Sequence, residues 1–141
     1  MDVAGVRAAL GMAPVSVVVG NIQLNCTPYT PTSVSVPCFY PGEVELDYAS
    51  GKGTFNGQPV VEATCYLLVA SESNDQAGQA LLDGYLTETG ASSIKAALES
   101  DQSLGGVCKS VFAHNVDGYR LYTVGLVAYY GARFRVQVLG G

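Results

Sequence analysis

Three carboxylates stand at alternate positions of one short segment, and carboxylate oxygens are the ligands that hard divalent cations prefer. They are Glu43, Glu45 and Asp47. Charged and apolar residues alternate here, which is typical of a half-buried strand with all three carboxylates on one face. Same-face positions on an extended strand lie about 6.5 Å apart, too far to share one ion without a bend. We therefore interpret the carboxylates as a solvated strand face and predict neither a metal site nor a cofactor.

His114 is the single histidine of the chain and the first candidate for a general base. No serine, cysteine or carboxylate is tied to it by a recognisable motif, and a histidine near a predicted turn is usually polar surface. We predict no catalytic residue and no enzyme activity. A well-formed polar pocket around His114 would instead favour a small-ligand binding protein or an enzyme.

The four cysteines lack the spacing of a metal site or a redox motif, since there is no CxxC pair and no histidine cluster. We predict buried free thiols, as in proteins of reducing compartments. The cysteines are Cys26, Cys38, Cys65 and Cys108.

Nucleotide and nucleic-acid binding have weak support. The run from Gly51 to Thr54 resembles a phosphate loop but lacks the upstream glycine spacing and a following helix. Tyr122, Tyr129 and Tyr130 have no neighbouring lysines and fit sheet or interface positions better than base stacking. Seven basic against twelve acidic residues give a net charge of −5, which opposes attraction to phosphates.

The composition predicts one domain, residues 1–141, with partners. Hydrophobic residues make up 48% of the chain and charged residues 13%, so part of the apolar surface is expected to be buried against other chains. No run approaches the roughly 20 apolar residues that span a bilayer, and we predict no membrane association. Asp2 and Arg7 argue against a secretory signal.

The first half of the chain has the pattern of one helix followed by strands. Residues 2–11 are predicted to form a short amphipathic helix closed by Gly11, with at least one strand in 15–26. A surface loop over 27–35 follows, rich in proline and hydroxyl residues.

Two β-like runs come next, 36–40 and 43–48, on either side of a bend at Pro41-Gly42. Pro37 indicates an edge position or a strand start. Residues 60–70 are predicted to form the partner strand, with alternate residues on one apolar face. That face comprises Val61, Ala63, Cys65, Leu67 and Val69.

A helical hairpin is predicted between the two blocks of strands. Its first helix covers 75–88, with Ser73 and Gln76 as a capping box and Gly90 at its end. Its apolar stripe comprises Ala77, Leu81, Leu82 and Tyr85.

The second helix of this hairpin begins at Ser92 or Ser93 and has Ile94, Ala97 and Leu98 on one face. Residues 104–106 then turn the chain back toward a strand. We expect Leu81 and Leu98 to be core residues.

Strands are predicted over 107–115 and 119–130, with a turn at Asp117-Gly118 between them. In the last strand the apolar residues of 132–138 alternate with Arg133, Arg135 and Gln137. The fold class is therefore α+β: a single domain with an antiparallel or mixed sheet, a short N-terminal helix and a central helical hairpin packed on one face.

The segment from Asp75 to Val111, together with the tyrosine-rich hairpin and YYGARFRVQVL after it, resembles the C-terminal half of tail terminator proteins from long-tailed phages of actinobacteria. The shared residues are Asp75, Gln76, Gln79, Leu82, Asp83, Tyr85, Leu86, Gly90, Ser93, Ile94, Lys95, Ala97, Leu98, Glu99, Leu104, Gly105, Gly106, Tyr130, Gly131, Ala132 and Phe134. The resemblance covers roughly half of the chain.

The resemblance implies a virion protein of the head-tail neck, assembled in the host cytoplasm as a ring of six subunits. Such a ring caps the head-proximal end of the tail tube and stops its polymerisation. Its partners are the tail tube protein and the head-completion or stopper protein, and genomic DNA passes through it without specific binding. Another neck component, a stopper or adaptor, is the nearest alternative.

Two surfaces are candidates for its interfaces. The glycine-rich segment from Tyr48 to Pro59 is predicted to be a long hairpin tip that contacts another subunit or the tube through Lys52 and Phe55. The strand face with Arg133 and Arg135 is the next candidate.

Overall fold

The segments richest in β-branched and aromatic residues form long strands, and those with helical periodicity form short helices. The computed structural model describes residues 3–14, 17–19, 22–29, 36–47, 54–55, 58–71, 75–87, 93–100, 104, 106, 108, 110–124 and 127–139. Within these ranges the helices are α1 (Val3–Met12), α2 (Asp75–Tyr85) and α3 (Ile94–Glu99). The strands are β1 (Val18–Val19), β2 (Ile22–Gln23), β3 (Asn25–Cys26), β4 (Cys38–Asp47), β5 (Thr54–Phe55), β6 (Gln58–Ser71), β7 (Ser110–Val124) and β8 (Val127–Leu139).

Six strands form one mixed sheet. Five of them follow the order β3-β4-β6-β8-β7, and β5 pairs with the beginning of β6. The pairs are antiparallel except for β3 with β4, which is parallel. Strands β1 and β2 form a separate two-stranded sheet. Strand β7 lies at one edge of the main sheet. A sheet core with a few short helices agrees with the predicted α+β class of a single domain.

The hydrophobic core lies between the helices and one face of the sheet. Alternate residues of the two central strands are buried there, as predicted, and all three helices contribute to the same cluster. Its members include Val6, Leu10, Val61, Ala63, Cys65, Leu67, Leu82, Tyr85, Ile94, Leu98, Ala132, Phe134, Val136 and Val138. A smaller cluster of Cys38, Tyr40 and Leu68 lies on the opposite face.

Helix α3 begins as predicted. The Oγ of Ser93 accepts a hydrogen bond from the N–H of Ala96 at 3.0 Å and donates to the carbonyl oxygen of Thr87 at 2.7 Å. Ser93 thus satisfies a free donor of the first turn and ties α3 to the segment that follows α2. The predicted caps Ser73 and Gly90 lie outside the described residues.

Helix α2 ends three residues earlier than predicted. The N–H of Leu86 is shared between the carbonyl oxygens of Leu82 and Asp83, both at 3.2 Å, so the last turn tightens after Tyr85. Leu82 is fully buried, whereas Leu81 is half-buried at the margin of the core. The expectation that Leu81 is a core residue was wrong, because the buried stripe is centred on its neighbour.

Gly11 lies inside α1 and does not end it. A Cβ at this position would stand 2.2 Å from the carbonyl oxygen of Thr27, so the helix and the chain after β3 approach too closely for a side chain. The helix continues to Met12 and is followed by a turn that contains Pro14. We predicted that Gly11 ends the helix, but instead it allows the helix to pack closely against the backbone of Thr27.

The predicted turn at Asp117-Gly118 is a bulge within β7. Gly118 has φ +66°, and the pairing with β8 shifts register between Asp117 and Arg120. A left-handed glycine inside a strand adds an extra residue without ending the ladder. Pairing continues to Val124 opposite Val127, and residues 125–126 lie outside the described residues.

The two predicted β runs at 36–40 and 43–48 form the single strand β4. It begins at Cys38, directly after Pro37, as that proline indicated, and its register shifts between Pro41 and Val44. Part of the predicted hairpin tip is also paired, since Phe55 of β5 lies opposite Gln58. This part of the tip is therefore paired within the chain itself.

Candidate functional site

The sheet face opposite the helices, called here the outer face, has polar and aromatic side chains from four strands. Strands β4 and β6 contribute acidic and tyrosine side chains, β8 contributes two arginines, and β7 contributes one histidine, one aspartate and one tyrosine. Its members are Tyr40, Glu43, Glu45, Glu62, Tyr66, His114, Asp117, Tyr122, Arg133 and Arg135. The three helices lie on the other side of the sheet, against the main core.

Three tyrosines form one end of the outer face. The rings of Tyr40 and Tyr66 stack with centroids 5.5 Å apart, and Tyr122 meets Tyr66 edge-on at 5.7 Å. The hydroxyl of Tyr66 donates to the carboxylate of Glu43, at 2.6 and 2.8 Å from its two oxygens. Burial, and then this hydrogen bond, raise the pKa of Tyr66. The phenol therefore stays a donor, and Glu43 is held at the edge of the rings.

The two predicted interface arginines meet one carboxylate. The Nε of Arg133 donates to Oδ1 of Asp117 at 2.9 Å, and the Nε of Arg135 lies 3.3 Å from Oδ2. Asp117 reaches both because it stands where the bulge of β7 begins. Much of the positive charge on this face is therefore compensated within the chain. Tyr48 and Lys52 lie outside the described residues, as does the side chain of Phe55.

His114 lies beside an open cavity of about 370 Å³. Its Nε2 is 3.1 Å from Oε2 of Glu62, so the histidine of β7 reaches across β8 to a carboxylate of β6. The cavity is also lined by Glu43, Glu45 and Arg135. Interpreting His114 as simple polar surface missed this pairing, because Glu62 is 52 residues away in sequence.

The structure shows the side chains of two of the three carboxylates in the predicted row. Glu43 and Glu45 both line the cavity at His114, while the side chain of Asp47 lies outside the described residues. Glu45 lies directly opposite Glu62 in the ladder between β4 and β6. In the part of the chain that is described, no group of three or more His, Cys, Asp or Glu side chains could hold a metal ion.

A second notable surface lies along the edge strand β7. Phe112, Val116 and Leu121 are exposed on it, and Val127 is exposed where β8 begins. Most of the exposed large apolar side chains among the described residues are therefore on this one hairpin. No signal in the sequence separated these residues from core positions, because β-branched and aromatic residues suit both faces of a strand.

Helix α3 covers one point of that edge. The Oε2 of Glu99 accepts the backbone N–H of Ala113 at 2.9 Å, and Glu99 also pairs with Lys95 at 2.7 Å. The Nζ of Lys95 stands 4.9 Å above the ring of Phe112. These contacts saturate a backbone donor that an edge strand would otherwise expose to pairing. No other described strand pairs with this edge of β7.

The four cysteines are free thiols, three of them buried and Cys26 half-buried. Burial raises the pKa of Cys65 from 9.0 to about 12, and that of Cys38 to about 11. For Cys26 burial, and then the neighbouring Cys38, raise the pKa to about 12. These thiols are therefore inert packing groups at neutral pH.

The protein is expected to lose stability above about pH 9. There the unfolded chain ionises its thiols, whereas the native state keeps them protonated up to about 12 at Cys65. Since the native state then binds more protons, the free energy of unfolding falls as pH rises. Urea denaturation at pH 8 and pH 10.5 measures the fall, and Cys65→Val should reduce it with little change at pH 7. An equal fall in the variant would mean that Cys65 does not contribute.

The comparisons with known proteins leave the chain without a family. No family model matches it, and no curated protein does. In the described ranges, none of the helices has the length and hydropathy that a membrane span requires.

Proposed function

We propose that the chain is a structural protein of a phage neck, a tail terminator that forms a ring of six on the head-proximal end of the tail tube. In this function it ends tube polymerisation and joins the tail to the head-completion protein, without enzyme activity. The resemblance of residues 75–134 to that family supports the proposal. The acidic net charge of −5 also suits a channel through which DNA moves without sticking.

One observation carries the assembly part of the proposal: most of the exposed large apolar side chains among the described residues lie on the β7–β8 hairpin at the sheet edge. Exposed apolar side chains along an edge strand favour contact with another chain. A ring requires this edge to contact a different surface of the next copy, which is a heterologous contact, and such contacts generate rings where the rotation between subunits closes.

Two other functions remain as alternatives. A stopper or adaptor of the same neck would use the same surfaces, and only its position in the particle distinguishes it. A small-ligand binding protein is favoured by the polar cavity beside His114, Glu62 and Arg135. The cavity is partly open to solvent, whereas a small-ligand site usually encloses most of its ligand, so we place this function second.

The test is to remove the gene from the phage and image the particles. Loss of a tail terminator should give overlong tails and heads without joined tails, and expression of the protein in trans should restore both. Imaging the intact neck should then place six copies between tube and head. Tails of normal length in the deletion, or one isolated copy in the neck, would overturn the proposal. Overlong tails separate the terminator from the stopper, whose loss leaves tail length unchanged.

A further inference from the structure

The outer face contains a continuous groove that no described helix covers. One part is an open cavity of about 480 Å³ lined by Tyr40, Tyr66 and Tyr122. The other is the cavity of about 370 Å³ beside Glu45 and Glu62. Glu43 lines both, so the two parts adjoin at this residue. We call the combined depression the outer groove.

The outer groove has an excess of negative charge. Its lining includes Glu43, Glu45 and Glu62 but one arginine, Arg135, which also pairs with Asp117. Glu43 accepts a hydrogen bond from the phenol of Tyr66, and Glu62 pairs with the ring of His114. A partner for this groove must therefore bring positive charge.

The ladder between β4 and β6 contains an unfavourable pair at the same place. Glu45 and Glu62 lie directly opposite each other, and both side chains belong to the outer face. Like charges in directly opposed positions destabilise a sheet. A cation between them would remove the repulsion, so the position of these two carboxylates also favours a positively charged partner. Natural proteins keep such unfavourable pairs mainly at functional sites.

We propose that the outer groove binds an arginine-bearing segment of another protein chain. A guanidinium group forms paired hydrogen bonds with carboxylates and stacks on aromatic rings, which a lysine ammonium does less well. The groove offers both kinds of group, with carboxylates at one end and a cavity lined by three tyrosines at the other. The described side chains do not form a metal-ion group, and the negative lining opposes nucleic acid. This binding goes beyond the proposed ring and does not depend on it.

The test uses the isolated full-length protein and a fluorescein-labelled peptide of three arginines separated by glycines. Saturable binding by fluorescence anisotropy is expected, whereas the same peptide with glutamine for arginine should not bind. Glu45→Gln and Glu62→Gln should each weaken binding by about tenfold. The control Asp83→Asn makes the same charge change on the exposed side of α2 and should alter binding less than about twofold.

Thermal unfolding supplies the second measurement. Glu45→Gln should raise the melting temperature by roughly 2 °C, because it removes the repulsion from Glu62. In Glu45→Gln the affinity for the peptide should thus fall while the melting temperature rises. A residue with only a structural function would not show this combination. The proposal is overturned if the arginine peptide does not bind, if the glutamine peptide binds equally, or if Asp83→Asn weakens binding as much. Saturable binding of Mg²⁺ or Ca²⁺ that displaces the peptide would also overturn it.

Discussion

Leu82→Ala and Leu98→Ala are each expected to lower the free energy of unfolding by about 3 to 5 kcal/mol. Both leucines are fully buried between their helices and the sheet. Truncation removes apolar contacts and leaves a cavity that a β-sheet cannot close, because β6 and β8 are fixed by their ladder. Urea denaturation at pH 7 measures the loss, which is a large fraction of the stability of an ordinary domain.

Leu81→Ala is the matched control, since it makes the same change next to Leu82 on the same helix. Leu81 is half-buried at the margin of the core, so its truncation should cost about 1 kcal/mol. The contrast tests which stripe of α2 faces the sheet. An equal loss for Leu81→Ala and Leu82→Ala would mean that the helix is rotated relative to the packing described above.

Periodicity in the sequence predicted the central part of the fold. Alternation in β6 and β8 identified the buried face, and helical spacing located α2 and α3 near their observed bounds. These signals are local: each depends on side chains two to four residues apart. Bulges were not predictable in the same way, because a glycine before a reversal and a glycine in a bulge have similar neighbours in sequence. Gly118 was therefore assigned to a turn.

The outer face could not be predicted, because its contacts join residues distant in sequence. Tyr66 and Glu43 are 23 positions apart, and His114 and Glu62 are 52 apart. Their meeting depends on the register of three strands, and a shift of one residue would turn each side chain to the other face. The sequence predicted that Arg133 shares a side with Arg135. It carried no sign that Asp117 pairs with both.

Leu121→Asp is expected to prevent ring formation while leaving the subunit folded. Leu121 is exposed on the edge strand, so an aspartate costs the isolated subunit little. In a ring the same position would bury an unpaired carboxylate. This burial would cost about 3 kcal/mol or more of binding free energy at each interface. That is roughly a 150-fold loss of affinity at each contact. Sedimentation of the purified protein and complementation of the deleted phage are the two measurements.

Asn115→Asp provides the matched control on the same strand. Asn115 is also exposed, and the substitution adds the same charge without removing an apolar side chain. The control should still assemble and restore joined particles, whereas Leu121→Asp should give folded single subunits, overlong tails and free heads. Equal loss in both variants would indicate a general effect of charge on the edge. If Leu121→Asp assembles normally, the ring does not use this edge. The hairpin tip with Tyr48, Lys52 and Phe55 then becomes the first surface to change, because shortening it leaves the β7–β8 ladder intact.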